Sequence, residues 1–295
     1  MAMTAREKAI EELFDNLSAD LVALRPEFVD AVLCPLCIEK FSRAAITDKS
    51  IDGLSIEHIV PAALGGRLQT LTCRRCNNRD GSALDSHLVS MIRVQDWAEA
   101  DGSALKGSVN VGGVELPMRI SMGKDQNLST IQILGGKQVI IEKFKEMMLG
   151  FGEGDKVNLT FSLGYAELKA RQSLVRSAYL ALFADLGYRL VLSDAGSFTR
   201  GILSGTDIPT IRLLTPQISN VEITNVDNPL VITPIGAVAY LVLMRTDTLH
   251  ERHHGVILPG PRVTEGEIPS TLSEIAGVLD GKQCTIQVAK IFPAS

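Results

Sequence analysis

From residue 5 onward, apolar side chains recur at three- and four-residue spacing: Ile10, Leu13, Phe14, Leu17, Leu21, Leu24, Phe28 and Val32. That period predicts one or two amphipathic helices, broken near Arg25-Pro26 because proline disfavours helical geometry in the residue before it. Their expected task is to pack against and cover the cysteine-containing stretch that follows. A further helix is expected from about Cys76 and another over residues 82–97, ending at the turn-rich Asp101-Gly102-Ser103.

Beyond residue 108 the period changes to two. Val109, Val111, Val114, Leu116, Met118 and Ile120 alternate around Gly112-Gly113, a hairpin signal. Strands are also expected over 130–134, 157–163, 189–192, 218–226, 237–245, 255–259 and 285–292, with helices over 139–149 and 271–279. The strongest helical signal in this half covers 165–186, where Ala166, Leu168, Leu174, Ala178, Leu182 and Phe183 share a broad face. Gly187 is expected to end it as a left-handed cap. Arg171, Arg176 and Tyr179 on this helix read as amphipathic packing. Strands and helices mix without βαβ alternation, which predicts an α+β fold. The expected division is residues 1–100, helices plus a cysteine module, and residues 105–295, a mixed, largely antiparallel α+β domain.

Composition narrows the class. With 295 residues and 45% hydrophobic content, the chain has apolar mass for real cores. No run of eighteen apolar residues occurs and the N-terminus lacks an apolar h-region, so the expectation is no membrane span, no secretion and a cytoplasmic location. A net charge of −5 argues against coating nucleic acid through bulk positive charge. Contact with nucleic acid therefore falls to a local patch, for which Arg67, Arg74, Arg75 and Arg79 are the candidates.

Cysteine placement supplies the first chemistry. Cys34-Pro-Leu-Cys37 and Cys73-Arg-Arg-Cys76 are two CxxC pairs, and Cys284 stands apart. In a reducing compartment such pairs point to metal rather than disulfides. Two tight turns delivering four thiolates suit a tetrahedral Zn2+, and four thiolates leave no open position, so the ion is structural. Metal ligation also supplies folding free energy to a module with few large apolar residues.

Between the pairs lie Glu57-His58-Ile59-Val60-Pro61 and Leu64-Gly65-Gly66, and Asn77 follows Cys76 directly. In this order and spacing the segment resembles the HNH endonucleases, most closely the bacterial group with two CxxC pairs, an EHIxP-type strand and a terminal CxxCN. The resemblance covers roughly residues 34–87. It implies a zinc-stabilised ββα-metal module that hydrolyses DNA phosphodiester bonds, with His58 as general base and Glu57 and Asn77 holding Mg2+ or another divalent ion. The residue types suit those tasks: neutral imidazole is a base near neutral pH, and carboxylate and amide oxygens suit a hard cation. The family's middle asparagine has no counterpart in Arg67-Leu68-Gln69-Thr70-Leu71, where Gln69 or Thr70 is the available substitute.

The expected setting is restriction or another defence against foreign DNA, with 105–295 expected, by fold-level analogy, to serve target recognition or oligomerisation and a homodimer as one way to cut both strands. The alternative is a zinc-stabilised DNA- or protein-binding module without catalysis. Asp85 and His87 are expected at surface helix positions. His250, His253 and His254 are expected in a solvated hairpin loop rather than at a second metal.

Overall fold

The computed structural model describes residues 4–98, 104–111, 114–122, 128–134, 138–150, 164–216, 230–235, 239–247 and 251–279. They form an α+β chain of helices and short antiparallel sheets, grouped into two compact units: residues 1–88 with 167–295, and residues 89–166.

In the first unit, α1 (Ala5–Leu24) opens with a capping box in which Thr4 and Glu7 satisfy each other's backbone amides. It stops before Pro26 and buries Ile10, Phe14, Ser18 and Leu21, so the predicted apolar stripe is real. It packs on β1 (Ala31–Leu33), which pairs with β2 (Lys40–Ser42), and on the next hairpin, β3 (Leu54–His58) with β4 (Gln69–Cys73). The loop between β3 and β4 turns at Gly65-Gly66. A Cβ at Gly66 would lie 1.8 Å from the Val60 carbonyl oxygen, so only glycine permits this approach.

The short α2 (Arg74–Asp80) follows, then a π-helical turn over Gly81–Asp85, then α3 (Ser86–Ala98). The continuous helix expected over 82–97 is thus interrupted at its start. That turn has a consequence for Asp85, which is buried at 8% exposure and not at the surface.

The second unit contains most of α3, the antiparallel sheet β5 (Ala104–Val111), β6 (Val114–Met122) and β7 (Leu128–Ile133), and α4 (Gln138–Leu149). Val111 pairs with Val114 as the hairpin signal predicted; Gly112 and Gly113 lie outside the described residues. Trp97 donates its indole N–H to the Ile120 carbonyl at 3.1 Å.

The first unit resumes with α5 (Glu167–Leu186), buried around almost its whole circumference from Ala170 to Phe183. A helix covered on all sides is a central one. Around it pack α6 (Tyr188–Val191), α7 (Asp194–Ser204), α8 (Ile208–Leu214) and the sheet β8 (Leu230–Ile235), β9 (Ala239–Asp247) and β10 (Glu251–Pro259), in the order β10-β9-β8. Helix α9 (Ile268–Leu279) packs on β10 and α8.

The strand expected over 189–192 is instead the turn of helix α6. Its Tyr188, Leu190 and Val191 are buried, and a short apolar run carries no period that separates strand from helix. Gly187 has φ 60 and ψ −148, a positive φ but not the left-handed helical cap. A Cβ there would lie 2.2 Å from an Asp20 carboxylate oxygen, which accepts the Tyr188 amide. His253 and His254 lie within strand β10, not in a loop; His250 lies outside the described residues. So do the strands expected over 157–163, 218–226 and 285–292, and Cys284.

Candidate functional site

The first knuckle leaves β1. The Ile38 amide donates to the Cys34 carbonyl at 2.8 Å, and Ile38 takes a positive φ of 64 to close the turn. The second knuckle is the junction of β4 and α2. The amides of Cys73 and Cys76 donate to the sulfurs of Cys34 and Cys73, both at 3.4 Å, and such bonds favour thiolate. The four sulfurs lie within 4.8 Å of one another, with Cys37 and Cys73 at 3.7 Å. A tetrahedron with metal–sulfur arms of about 2.3 Å has edges of about 3.8 Å, so the cluster can hold a metal such as zinc. The thiols perturb one another strongly. Burial pushes Cys34 well up, whereas hydrogen bonding with Cys34 brings Cys37 down to about 7.

The distant half of the chain buttresses this cluster. Tyr188 Oη accepts the Leu33 amide at 2.8 Å and donates to the Leu33 carbonyl at 2.7 Å, while Tyr179 Oη donates to the Pro35 carbonyl at 3.0 Å. Burial raises both phenols, Tyr179 to about 12, so they remain protonated donors at neutral pH.

Strand β3 carries Glu57 and His58 in succession. Alternation sends them to opposite faces: Glu57 is buried and His58 half-exposed. Antiparallel register sets His58 opposite Gln69, and their side chains meet at 3.1 Å through His58 Nε2. Asn77, on the second turn of α2, donates its amide nitrogen to Ser55 Oγ and to the Ile56 carbonyl, both at 3.0 Å. These bonds dock α2 on β3 beside Glu57 and leave the Asn77 carbonyl oxygen as the group able to meet a cation. Cys73, not Asn77, is the N-cap of α2.

Glu57 does not stand alone. Its Oε1 lies 2.8 Å from Nη2 of Arg176, which is fully buried on α5. The same guanidinium lies 3.3 Å from Asp80 and donates to Asp85 at 3.2 Å; Ser173 Oγ donates to Asp85 at 2.6 Å. Asp80 is also paired with exposed Arg79 at 2.6 Å. Three buried carboxylates therefore face two guanidinium groups. Burial raises Glu57 and Asp85, opposed in both by Arg176. Glu57 Oε2 is buried with no hydrogen-bond partner, and a carboxylate oxygen in that position suits a divalent cation.

Spacing had singled out Glu57, His58, Asn77 and the four cysteines, but not Asp80, Asp85 or Arg176. One available signal was Arg176 itself, a cation amid Leu174, Val175, Ala178 and Tyr179.

The four candidate arginines are placed differently. Arg74 donates to the carbonyls of Asp48 and Leu54 and ties the loop before β3 to α2. Arg75 is exposed and paired with Glu39 and Asp52. Arg79 is exposed beside the second knuckle, reaching the Cys76 sulfur at 3.9 Å, and Arg67 is exposed just after the Gly65-Gly66 turn.

Comparison with known families agrees with this geometry: residues 46–93 match the HNH endonuclease family. The matched segment contains β3, β4, α2, the second knuckle and the Glu57-His58 pair, so this part of the chain is similar to an HNH endonuclease module, and its Cys73 and Cys76 complete the cluster with Cys34 and Cys37 from just before it. Nuclease chemistry is the general activity that family suggests. No curated protein and no solved structure matches the chain. Among the described residues, no helix is long and apolar enough to cross a membrane.

Proposed function

We propose that the protein is a metal-dependent HNH endonuclease that hydrolyses DNA phosphodiester bonds. The supporting observation is the pairing of half-exposed His58 with buried Glu57 at the end of β3, with Asn77 docked alongside, inside the family-matched segment. In this reading Zn2+ on Cys34, Cys37, Cys73 and Cys76 is structural. Glu57 and Asn77 hold Mg2+ or another divalent ion, which when bound neutralises charge on the scissile phosphate and leaving oxygen.

The protein's own groups then have defined tasks. His58 accepts the proton of the attacking water. The Gln69 side-chain nitrogen, 3.1 Å from His58 Nε2, holds the imidazole in place, so Gln69 is the group that positions the base where the family's middle asparagine is missing. Arg176 fixes Glu57 through one oxygen and leaves the other for the cation. Arg67, Arg75 and Arg79 are the exposed cations for backbone phosphates.

The setting we assign is restriction or another defence against foreign DNA, in the cytoplasm, where reduced CxxC pairs persist. Residues 105–295 serve target recognition or assembly, including a homodimer. The grip of Arg176 on Glu57 favours one rival reading, a zinc-stabilised binding module without catalysis.

Supercoiled plasmid incubated with Mg2+ or Mn2+, beside His58→Ala, separates the two. Ion-dependent nicking that the substitution abolishes supports the enzyme. Failure to cut plasmid, single-stranded DNA, modified DNA and RNA overturns it.

A further inference from the structure

Helix α7, the first knuckle and α2 line a groove of about 310 Å³, with Arg200, Ser197, Ser204 and Gly201 from α7, Leu36 from the knuckle and Arg79 from α2. At about 30 Å³ per water it holds on the order of ten waters, room for a phosphodiester with its flanking sugars. The lining carries two guanidinium groups, that of Arg200 and that of Arg79, which Asp80 pairs from behind, and no carboxylate, which suits an anion.

Arg200 is the telling residue. One of its terminal nitrogens donates to Tyr179 Oη at 2.9 Å and to the Val191 carbonyl at 2.8 Å, which holds the half-buried guanidinium at the groove wall. Both partners are neutral, and among the described residues no carboxylate pairs with it. A partly desolvated cation held by neutral groups favours an anion in its remaining shell. Arg79 brings a second guanidinium from the end of α2, and Ser197 adds a hydroxyl one turn before Arg200, while Ser204, one turn after it, donates its own to the Arg200 and Gly201 carbonyls.

We infer that this groove is a second phosphate-binding subsite, taking the DNA backbone outside the Glu57, His58 and Asn77 centre. The inference rests on DNA being the substrate. It gives α7, from the distant half of the chain, a part in gripping DNA that no motif announces, and it extends the basic surface from Arg79 to Arg200. Part of the DNA affinity therefore comes from residues beyond the family-matched segment.

Gly201 gives the test. It is exposed on α7 at the groove, and a Cβ there meets no atom within 4 Å, so either charge is introduced without a clash. In the full-length His58→Ala background, affinity for a fluorescent duplex is measured by anisotropy across a salt series. Gly201→Glu is expected to weaken binding about tenfold and Gly201→Lys to tighten it about threefold. Arg79→Gln is expected to lower the slope of log K against log salt by about one.

Equal shifts for Glu and Lys would be a steric effect and overturn the inference, as would no shift or no duplex binding. A Gly201→Glu loss confined to inorganic phosphate, with duplex affinity unmoved, would also overturn it. If plasmid cleavage fails while the opposite Gly201 shifts persist, only the nuclease reading falls. If cleavage holds and the shifts are absent, only the groove falls.

Discussion

Arg176 Nη2 lies 2.8 Å from Glu57 Oε1, joining a residue of central helix α5 to one of strand β3 that lies 119 positions earlier by number. Neither can be moved without exposing the other: a buried charge that loses its partner keeps its desolvation cost. The family-matched segment is consequently not self-contained. Its carboxylates Glu57, Asp80 and Asp85 are completed by a side chain supplied after the intervening second unit.

Arg176→Met should therefore destabilise the fold by about 3–5 kcal/mol, because it leaves three buried carboxylates without their common cation. Urea unfolding measures this. A double-mutant cycle with Glu57→Gln should return part of the loss, since that substitution removes one of the stranded charges. Additive effects of the two substitutions would contradict the direct coupling.

The cysteine cluster predicts one tightly held Zn2+ per chain. Cys34→Ser or Cys76→Ser should lose the metal and unfold the module, seen as reduced zinc by elemental analysis and protease sensitivity around residues 34–78. A folded, protease-resistant Cys34→Ser protein would remove the structural role from the metal.

Gln69 stands opposite His58, so Gln69→Ala should lower the cleavage rate about tenfold with little change in fold or zinc content. Gln69→Asn, one methylene shorter, should restore little of it, because the amide no longer reaches the ring. Wild-type rates for Gln69→Ala in single-turnover cleavage would show that His58 needs no such partner.

His254 predicts an acid-side loss of stability. Burial, reinforced by Arg252 and His253, holds its imidazole down from 6.5 to about 4. The unfolded chain takes up this proton as pH falls below 6.5, whereas the folded chain does not until about 4. Stability should therefore decline over that window, by on the order of 3 kcal/mol when complete, with no contribution above it. His254→Gln should remove this part of the slope in urea unfolding at stepped pH. Parallel wild-type and variant curves would rule it out.

How much of this could be read from the chain depends on the range of each interaction. Stripe and cap signals act within a few residues, so α1, its stop before Pro26, the β5–β6 hairpin and α5 were legible. The knuckles were legible because a four-thiolate site requires fixed ligand types at short separations, and the roles proposed for Glu57, His58 and Asn77 rest on the same kind of spacing. The 189–192 run was not, since four residues cannot display a period and burial of Tyr188 against β1 decided its form. Asp85 was misread because the π turn rotates it inward, towards Ser173 and Arg176, and nothing local announces such a turn. The role of Arg176 depends on contacts 91 or more positions away, at Asp85 and beyond. Only the mismatch between its charge and its apolar neighbours hinted at it.

The most direct test of the central claim is the single-turnover rate of supercoiled-plasmid nicking in Mn2+ or Mg2+ for the wild type, His58→Ala and Glu57→Gln, with zinc content and circular dichroism recorded for each. The account predicts cleavage by the wild type that EDTA stops, with a loss of about 10²-fold or more in either variant while zinc and fold are retained. Cleavage by His58→Ala at the wild-type rate, or no ion-dependent cleavage by the folded, zinc-loaded wild type, would contradict it.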